Sequence, residues 1–472
     1  MRKPSRRSSI APLVLLLCLL VSGLASGGTV RAAESGTAAN ADRVLLLYDS
    51  KAIGHEDAPN VPVTERLLAA FGLSVTPVSL DQYTPGLAED YPRVVLVRNR
   101  SDFTVPPSVW AELDAYTGNR FAVMGGEAAL HLASETSTDP LAKWAGAQAS
   151  ALPAGVDGTL SLAGDLKSWL GDKRTGKAYL LLKESYPFSD LELLRTLADR
   201  LSDAGIPFLL ATRPVFQNTD YPAMLRYLEA LKYAQSRGGS ILVQTPVVKL
   251  AATRSDTTLR TKMEGFVDTL IESGIVPLGV VSEAFWTYDR EFSVGGLGAF
   301  DSAVLLRDEN PFFMERMPTS RSFSSSLFTF SPEDLPLEEL SHSDVQTLPL
   351  PVALPYDLPE TNEEMEHLLA RLAKAWLPFT DYKEEDHEVV TEKHRAGSRN
   401  GVLTIDGQFM STDYVSRPID EQFEYERKEA VSFAGLFRAQ NRFFLVVISA
   451  ALIAFVILIG IGRRIYRRKF MK

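Results

Sequence analysis

Glu184 and Glu283 each close a stretch that opens with a short apolar run, at 179–182 and 276–281 respectively. Carboxyl groups in such places are the side chains that can pass protons to and from a bound substrate, provided both reach it. Between them in sequence, Thr212-Arg213-Pro214 ends the apolar run 207–211, and Gln244-Thr245-Pro246 ends the run 241–244. A guanidinium fork and a carboxamide hold a hydroxyl-rich ligand in place. Tyr186, Phe188, Phe285 and Trp286 stand beside these same ends. Flat rings there suit stacking on the C–H face of a sugar, and serve equally as packing around a rim. Glu184 and Glu283 are therefore the candidate catalytic groups, and Arg213, Gln244, Trp286 and Tyr186 the candidate binding groups.

Metal and cofactor chemistry find less support. Six histidines stand at 55, 131, 342, 367, 387 and 394, none of them at the four run ends. Glu363 and His367 have the one-turn helical spacing of a metal pair, but that spacing is also that of a solvated helix face. His387 and His394 fall in a charged stretch, 383–395, that reads as an exposed loop. The only cysteine is Cys18, so a disulfide framework, a cysteine metal site and a cysteine nucleophile are excluded from the rest of the chain. Gly296-Leu297-Gly298 lacks the strand and helix of a dinucleotide loop and reads as a turn, and no G-x-S-x-G elbow occurs. No metal and no cofactor is expected.

The elements that must position these groups are short apolar runs alternating with amphipathic segments. Runs at 44–47, 73–78, 94–97 and 121–124, with helical segments at 61–71 and 107–116, predict a doubly wound, Rossmann-like α/β domain over 42–150. Gly125-Gly126-Glu127 reads as a turn after its last strand. The order of elements resembles the class I glutamine amidotransferase-like fold, but the nucleophilic cysteine of that fold's elbow is missing, so amidotransfer is not implied. Residues 135–176 read as a linker or a small β excursion. A second series follows, with strand runs at 179–182, 207–211, 241–244, 276–281, 303–306, 326–330 and 351–354. Helices lie between them: Ser189 and Glu192 suggest a capping box, and Leu259, Met263, Phe266 and Leu270 repeat at helical spacing. Seven strands with helices between them point to a (β/α) barrel, in which chemistry belongs at the C-terminal strand ends.

Over 176–385, and most clearly in KESYPFSD, GIPFLLATRPVFQNTDYPAM and YAQSRGGSILVQTP, the chain resembles a little-characterised branch of the polysaccharide deacetylase superfamily. The resemblance implies a distorted (β/α)7 barrel. It also implies a site in which one Asp and two His hold a divalent metal, a neighbouring Asp acts as base, and acetyl groups are removed from N-acetylated sugars. Lys183-Glu184 stands where active members carry an Asp-Asp pair, and Gln244, with Val248 four residues on, stands in place of the two His. A cation and an amide do not replace an anionic carboxylate and a neutral imidazole as ligands. The usual metal mechanism is therefore expected to be lost.

The ends of the chain and its charge bear on location. Residues 1–33 have the basic, apolar and small-residue order of a signal peptide. The uncharged stretch 443–462 is long enough to span a bilayer, and the basic tail 463–472 marks a cytoplasmic end. That places the bulk of the chain outside a cell membrane, with 386–442 as an extracellular tail or stalk. The region 34–442 holds 38 basic and all 59 acidic residues, a net charge of −21. Such a surface argues against nucleic acid as a partner. Two functions are in view. One is a tethered, non-catalytic protein that binds an envelope polysaccharide or envelope proteins. The alternative is an active hydrolase on cell-wall or exopolysaccharide amino sugars, with a rearranged centre at Glu184 and Glu283.

Overall fold

The computed structural model describes residues 41–51, 60–100, 104–125, 144, 149–152, 156–247, 256–335, 348–375, 378–415 and 434–470. The region expected to be a signal peptide, the pair Gly126-Glu127, Val248 and three of the histidines (His55, His131 and His342) lie outside the described residues.

Strands β1 (Arg43–Tyr48), β2 (Ser74–Ser79), β3 (Arg93–Arg98), β4 (Asn119–Gly125) and β5 (Ala149–Leu152) form a parallel sheet in the order β2-β1-β3-β4-β5. Successive side chains of a strand point to opposite faces, and both faces of this sheet are apolar. Val44, Leu46, Val95 and Val123 share a core with α1 (Asn60–Ala70). Leu45, Leu47, Val94 and Ala122 pack instead with Val109 and Leu113 of α2 (Pro107–Ala115) and with Trp144. Helices on both faces make it a doubly wound layer. The stretch expected to be a linker contains α3 (Val156–Leu170), whose Leu162, Ala163 and Leu166 are fully buried at helical spacing.

Seven parallel strands close into a barrel. They are β6 (Ala178–Ser185), β7 (Phe208–Thr212), β8 (Gly239–Gln244), β9 (Pro277–Glu283), β10 (Ser302–Leu306), β11 (Ser325–Thr329) and β12 (Val352–Asp357), with β12 pairing back on β6. Barrel strands are covered on both sides, which is why their sequences are apolar without alternation. The surrounding helices are α4 (Leu191–Asp203), α5 (Pro222–Ser236), α6 (Asp256–Glu272) and α7 (Asn362–Lys374). The N-cap of α4 is Asp190, whose carboxylate accepts from Glu192 N and Leu193 N, rather than Ser189; the Ser189 hydroxyl accepts from Tyr186 N instead.

The layer and the barrel share one core. Arg66 on α1 donates to the carbonyl and hydroxyl oxygens of Thr329 on β11 at 2.9 and 3.0 Å. The free edge of β2 is closed by the barrel loop before β11: Ser320 N donates to Val75 O at 2.9 Å, and Val75 N donates to Ser320 Oγ at 2.9 Å.

Much of the expected stalk is folded. β13 (His387–Val390), β14 (Arg395–Arg399), β15 (Val402–Ile405) and β16 (Gln408–Phe409) form an antiparallel sheet. It packs at the N-terminal end of the barrel, where His387 Nδ1 lies 2.9 Å from Ser302 Oγ and Val390 N donates to Ala299 O. His387 is buried and stacks on Tyr382. His394 lies 2.9 Å from Asp406. The charged stretch thus contributes β13 and the start of β14 to a folded sheet rather than forming an open loop, because small and apolar residues of that sheet (Val389, Ala396, Leu403) are buried. Residues 420–472 form a separate unit. Its helix α8 (Ala434–Phe470) contains an 18-residue window, Val447–Arg464, long and apolar enough to cross a membrane.

Candidate functional site

Glu184 sits at the C-terminal end of β6 with φ +65°, a left-handed conformation that a non-glycine residue adopts at a cost. The register between β6 and β7 shifts between Leu182 and Ser185, so Lys183 and Glu184 lie in a bulge. Beneath it, Tyr227 of α5 fixes the two strand ends. Its hydroxyl lies 2.9 Å from Ser185 O, 3.0 Å from Ser185 Oγ and 2.6 Å from Thr212 Oγ1, all buried.

The bulge aims Glu184 across the mouth at Arg213, the residue after β7. Arg213 engages both carboxylate oxygens, with Nε 3.0 Å from Oε2 and Nη2 on Oε1, while its Nη1 donates to Thr245 O. Gln244, at the end of β8 and nearly fully buried, donates from Nε2 to Glu184 Oε1 at 2.8 Å. In return it accepts from Glu184 N at 2.9 Å. The Tyr186 hydroxyl donates to Glu184 Oε2. Burial alone would raise the Glu184 carboxyl, but Arg213, Tyr186 and Gln244 together hold it below the ordinary value. Glu184 is thus an ionised, fully engaged carboxylate and a weak base. Lys183, its neighbour in the bulge, forms an ion pair with Asp357 at the end of β12.

Glu283 ends β9, two strands away from β7 in the barrel order. No described hydrogen bond or ion pair reaches its side chain. Burial first, then Asp308 and Glu309, push its carboxyl up to about 7, while Arg213 acts weakly in the opposite sense. Asp308 follows β10, where Leu306 is the register partner of Glu283, and its Oδ1 accepts from Phe285 N at 2.8 Å. Asp308 completes the site and was passed over in the sequence, although the strand-end rule points to Arg307-Asp308-Glu309 directly after 303–306.

The structure thus brings together Glu184, Tyr186, Arg213 and Gln244, while Glu283 ends a strand two further along the barrel with no described contact to them. It does not bring Trp286 into the mouth. That residue lies in the short helical turn Ala284–Thr287, is 2% exposed, and packs on Phe292 with ring centroids 4.5 Å apart. Gly296 lies so close beneath it that a Cβ there would meet Trp286 Cζ3 at 2.4 Å. A run of apolar rings, Phe285, Trp286 and Phe292, draws the indole inward. The ring presented to solvent is Phe188, 84% exposed and stacked on Tyr186 at 4.9 Å. The two rings form one wall of a cavity of about 430 Å³ that also takes in Arg213, Pro214, Tyr221 and Pro246.

The residues do not fit a divalent metal. The ammonium of Lys183, the amide of Gln244 and a Glu184 carboxylate already shared among three donors offer no open anionic or imidazole ligand. Among the described residues, no group of three His, Cys, Asp or Glu side chains could hold an ion. His367 is on an exposed face of α7.

Compared with known proteins, the chain matches no family model and no curated protein. Among solved structures it is similar to a deacetylase determined with substrate, with a TM-score of 0.25 and 12% identity over 44% of this chain and 88% of the other. It is also similar to a peptidoglycan N-acetylglucosamine deacetylase bound to a naphthalenyl N-oxidanyl-benzamide, with a TM-score of 0.26 and 11% identity over 45% and 92%. At TM-scores this low the likeness carries no argument about chemistry.

Proposed function

We propose that the barrel mouth is a glycan-binding groove that has given up metal-dependent deacetylation, on a protein held at the cell membrane by its C-terminal helix with the bulk of the chain outside. The observation that carries this reading is the closed cluster at the end of β6. The groups that would do the chemistry, Lys183, Glu184 and Gln244, are bound to Asp357, Arg213, Tyr186 and each other, while the adjoining cavity with its Tyr186–Phe188 wall is open. A ring pair of this kind offers a rigid apolar face to a sugar at little cost in side-chain entropy. The test is calorimetric titration of the full chain in detergent with envelope-polysaccharide fragments. Wild type should bind, and Phe188→Ala should bind at least about tenfold more weakly. No binding by wild type to any fragment would move the function to protein scaffolding. The topology is checked with protease on intact, wall-stripped cells, where full protection of the barrel would refute an outside location.

One observation favours the alternative, an active hydrolase. A carboxyl at about 7, as at Glu283, is suited to general acid–base work at neutral pH. Acetate released from an N-acetylated oligosaccharide, unaffected by chelator and abolished in Glu283→Gln, would establish it.

A further inference from the structure

Helix α8 is longer than a bilayer needs. Its 37 residues measure about 55 Å at 1.5 Å per residue, whereas the uncharged stretch 443–462 alone matches the roughly 30 Å hydrocarbon core. Beyond that stretch the helix runs on unbroken from Arg463 to Phe470, about 12 Å or two further turns. The headgroup layer on each side of a bilayer is about 5 to 8 Å deep. Positions 463 and 464 therefore fall at the depth of the lipid phosphates, and 467 and 468 at the outer edge of that layer. The charge of this extension is of one sign. Arg463, Arg464, Arg467, Arg468, Lys469 and Lys472 follow the apolar stretch, and 430–472 holds no acid, so the helix offers these cations no carboxylate of its own. At about 100° per residue the four arginine positions share an arc of about 140°, with Ile465 and Tyr466 placed outside it. The opposite flank of the helix is unlike this one, since 420–429 carries five acids against two basic residues.

We infer that the arginine arc at 463–468 gathers anionic lipid around α8, taking the phosphodiester headgroups of the leaflet it enters. This rests on the reading of α8 as a membrane span and goes beyond it. Spanning needs only the apolar stretch, whereas a one-sided arginine cluster at phosphate depth selects which lipids surround the helix. A guanidinium fork matches a phosphodiester with two parallel N–H···O bonds. In a zwitterionic lipid the headgroup's own cation competes for that phosphate, and in an anionic lipid nothing does. Basic clusters of this size directly beside a membrane helix attract acidic lipid for the same reason.

The test reconstitutes the full chain into phosphatidylcholine vesicles that carry a trace of spin-labelled phosphatidylglycerol or spin-labelled phosphatidylcholine. Electron spin resonance reads the motionally restricted fraction of each label. Phosphatidylglycerol should be favoured about fivefold, the worth of one basic group at an anionic lipid surface. Replacing Arg463, Arg464, Arg467 and Arg468 together by Gln should remove most of that preference, whereas Arg438→Gln with Arg442→Gln at the other flank should leave it. Wild type in about 1 M sodium chloride, where charges are screened beyond about 3 Å, should lose at least half of it, an arm that needs no variant. Equal restriction of the two labels by wild type, or a preference that survives both the four substitutions and the salt, would overturn the lipid assignment while leaving the span intact. A preference abolished by inorganic phosphate but not by sodium chloride of equal ionic strength would give the arginines to free phosphate instead, and also overturn it. Release of wild type from the vesicles by alkaline carbonate would overturn both the span and the inference.

Discussion

Replacing Arg213 by alanine should cost the fold about 2 to 4 kcal/mol at neutral pH. The figure follows from the position of the fork with Glu184, whose side chains are 16% and 26% exposed. Exposed pairs contribute up to about 1 kcal/mol, whereas breaking a buried pair costs about 3 to 5 kcal/mol. This pair falls between, and the lost bond to Thr245 O adds about 1 kcal/mol. The pH dependence identifies the cause. The Glu184 carboxyl is depressed in the fold, so its contribution is present above the unfolded value, about 4.3, and is lost as pH falls through the folded value. Urea midpoints of the full chain in a mild detergent should therefore separate wild type and Arg213→Ala most at about pH 7 and least at about pH 3. Arg213→Lys should recover only part of the difference, because an ammonium cannot reproduce the fork. A difference below about 0.5 kcal/mol at neutral pH, or one of equal size at both pH values, would refute the argument.

Three further outcomes are expected. Trp286→Ala should lose about 3 to 5 kcal/mol of stability, read from the same midpoints, since it empties a closed ring cluster. Glu283 has a raised folded value of about 7, so the folded state binds the extra proton and stability falls as pH rises from the unfolded value towards 7. The Glu65 carboxyl is raised to about 7 as well, so Glu283→Gln should reduce that fall, by about 1 to 2 kcal/mol after allowance for solvent screening, and a variant profile as steep as the wild type's would contradict the assignment. Tyr227→Phe should cost about 1 to 2 kcal/mol and speed amide exchange at the ends of β6 and β7, because Ser185 O loses its hydroxyl donor.

The elements of the barrel are legible in the sequence because buried parallel strands are plain apolar runs and each helix carries its own periodic face. Leu193, Leu194, Leu197 and Leu201 are buried as their spacing predicts. The positions of Glu184, Arg213 and Gln244 follow from the strand-end rule, but their mutual engagement does not, since it depends on a bulge and a left-handed residue that no local pattern announces. Trp286 shows the opposite limit. An aromatic beside a strand end can face out or in, and only the packing of Phe292 and the absence of a Cβ at Gly296 decide it. The sheet at 387–409 was hidden because its strands are short and its outward residues charged, so that charge outweighed alternation.

The closure of β2 by Ser320 has a consequence for how this chain can be divided. The main-chain N–H and C=O of Val75 in the first layer are completed by a loop that belongs to the barrel, and Arg66 is completed by a barrel strand. Cutting between Leu170 and Ala178 would leave one fragment with a bare strand edge and the other with an uncovered apolar flank, each a template for self-association. Each half therefore completes polar groups of the other, and separating them at that point exposes both surfaces at once.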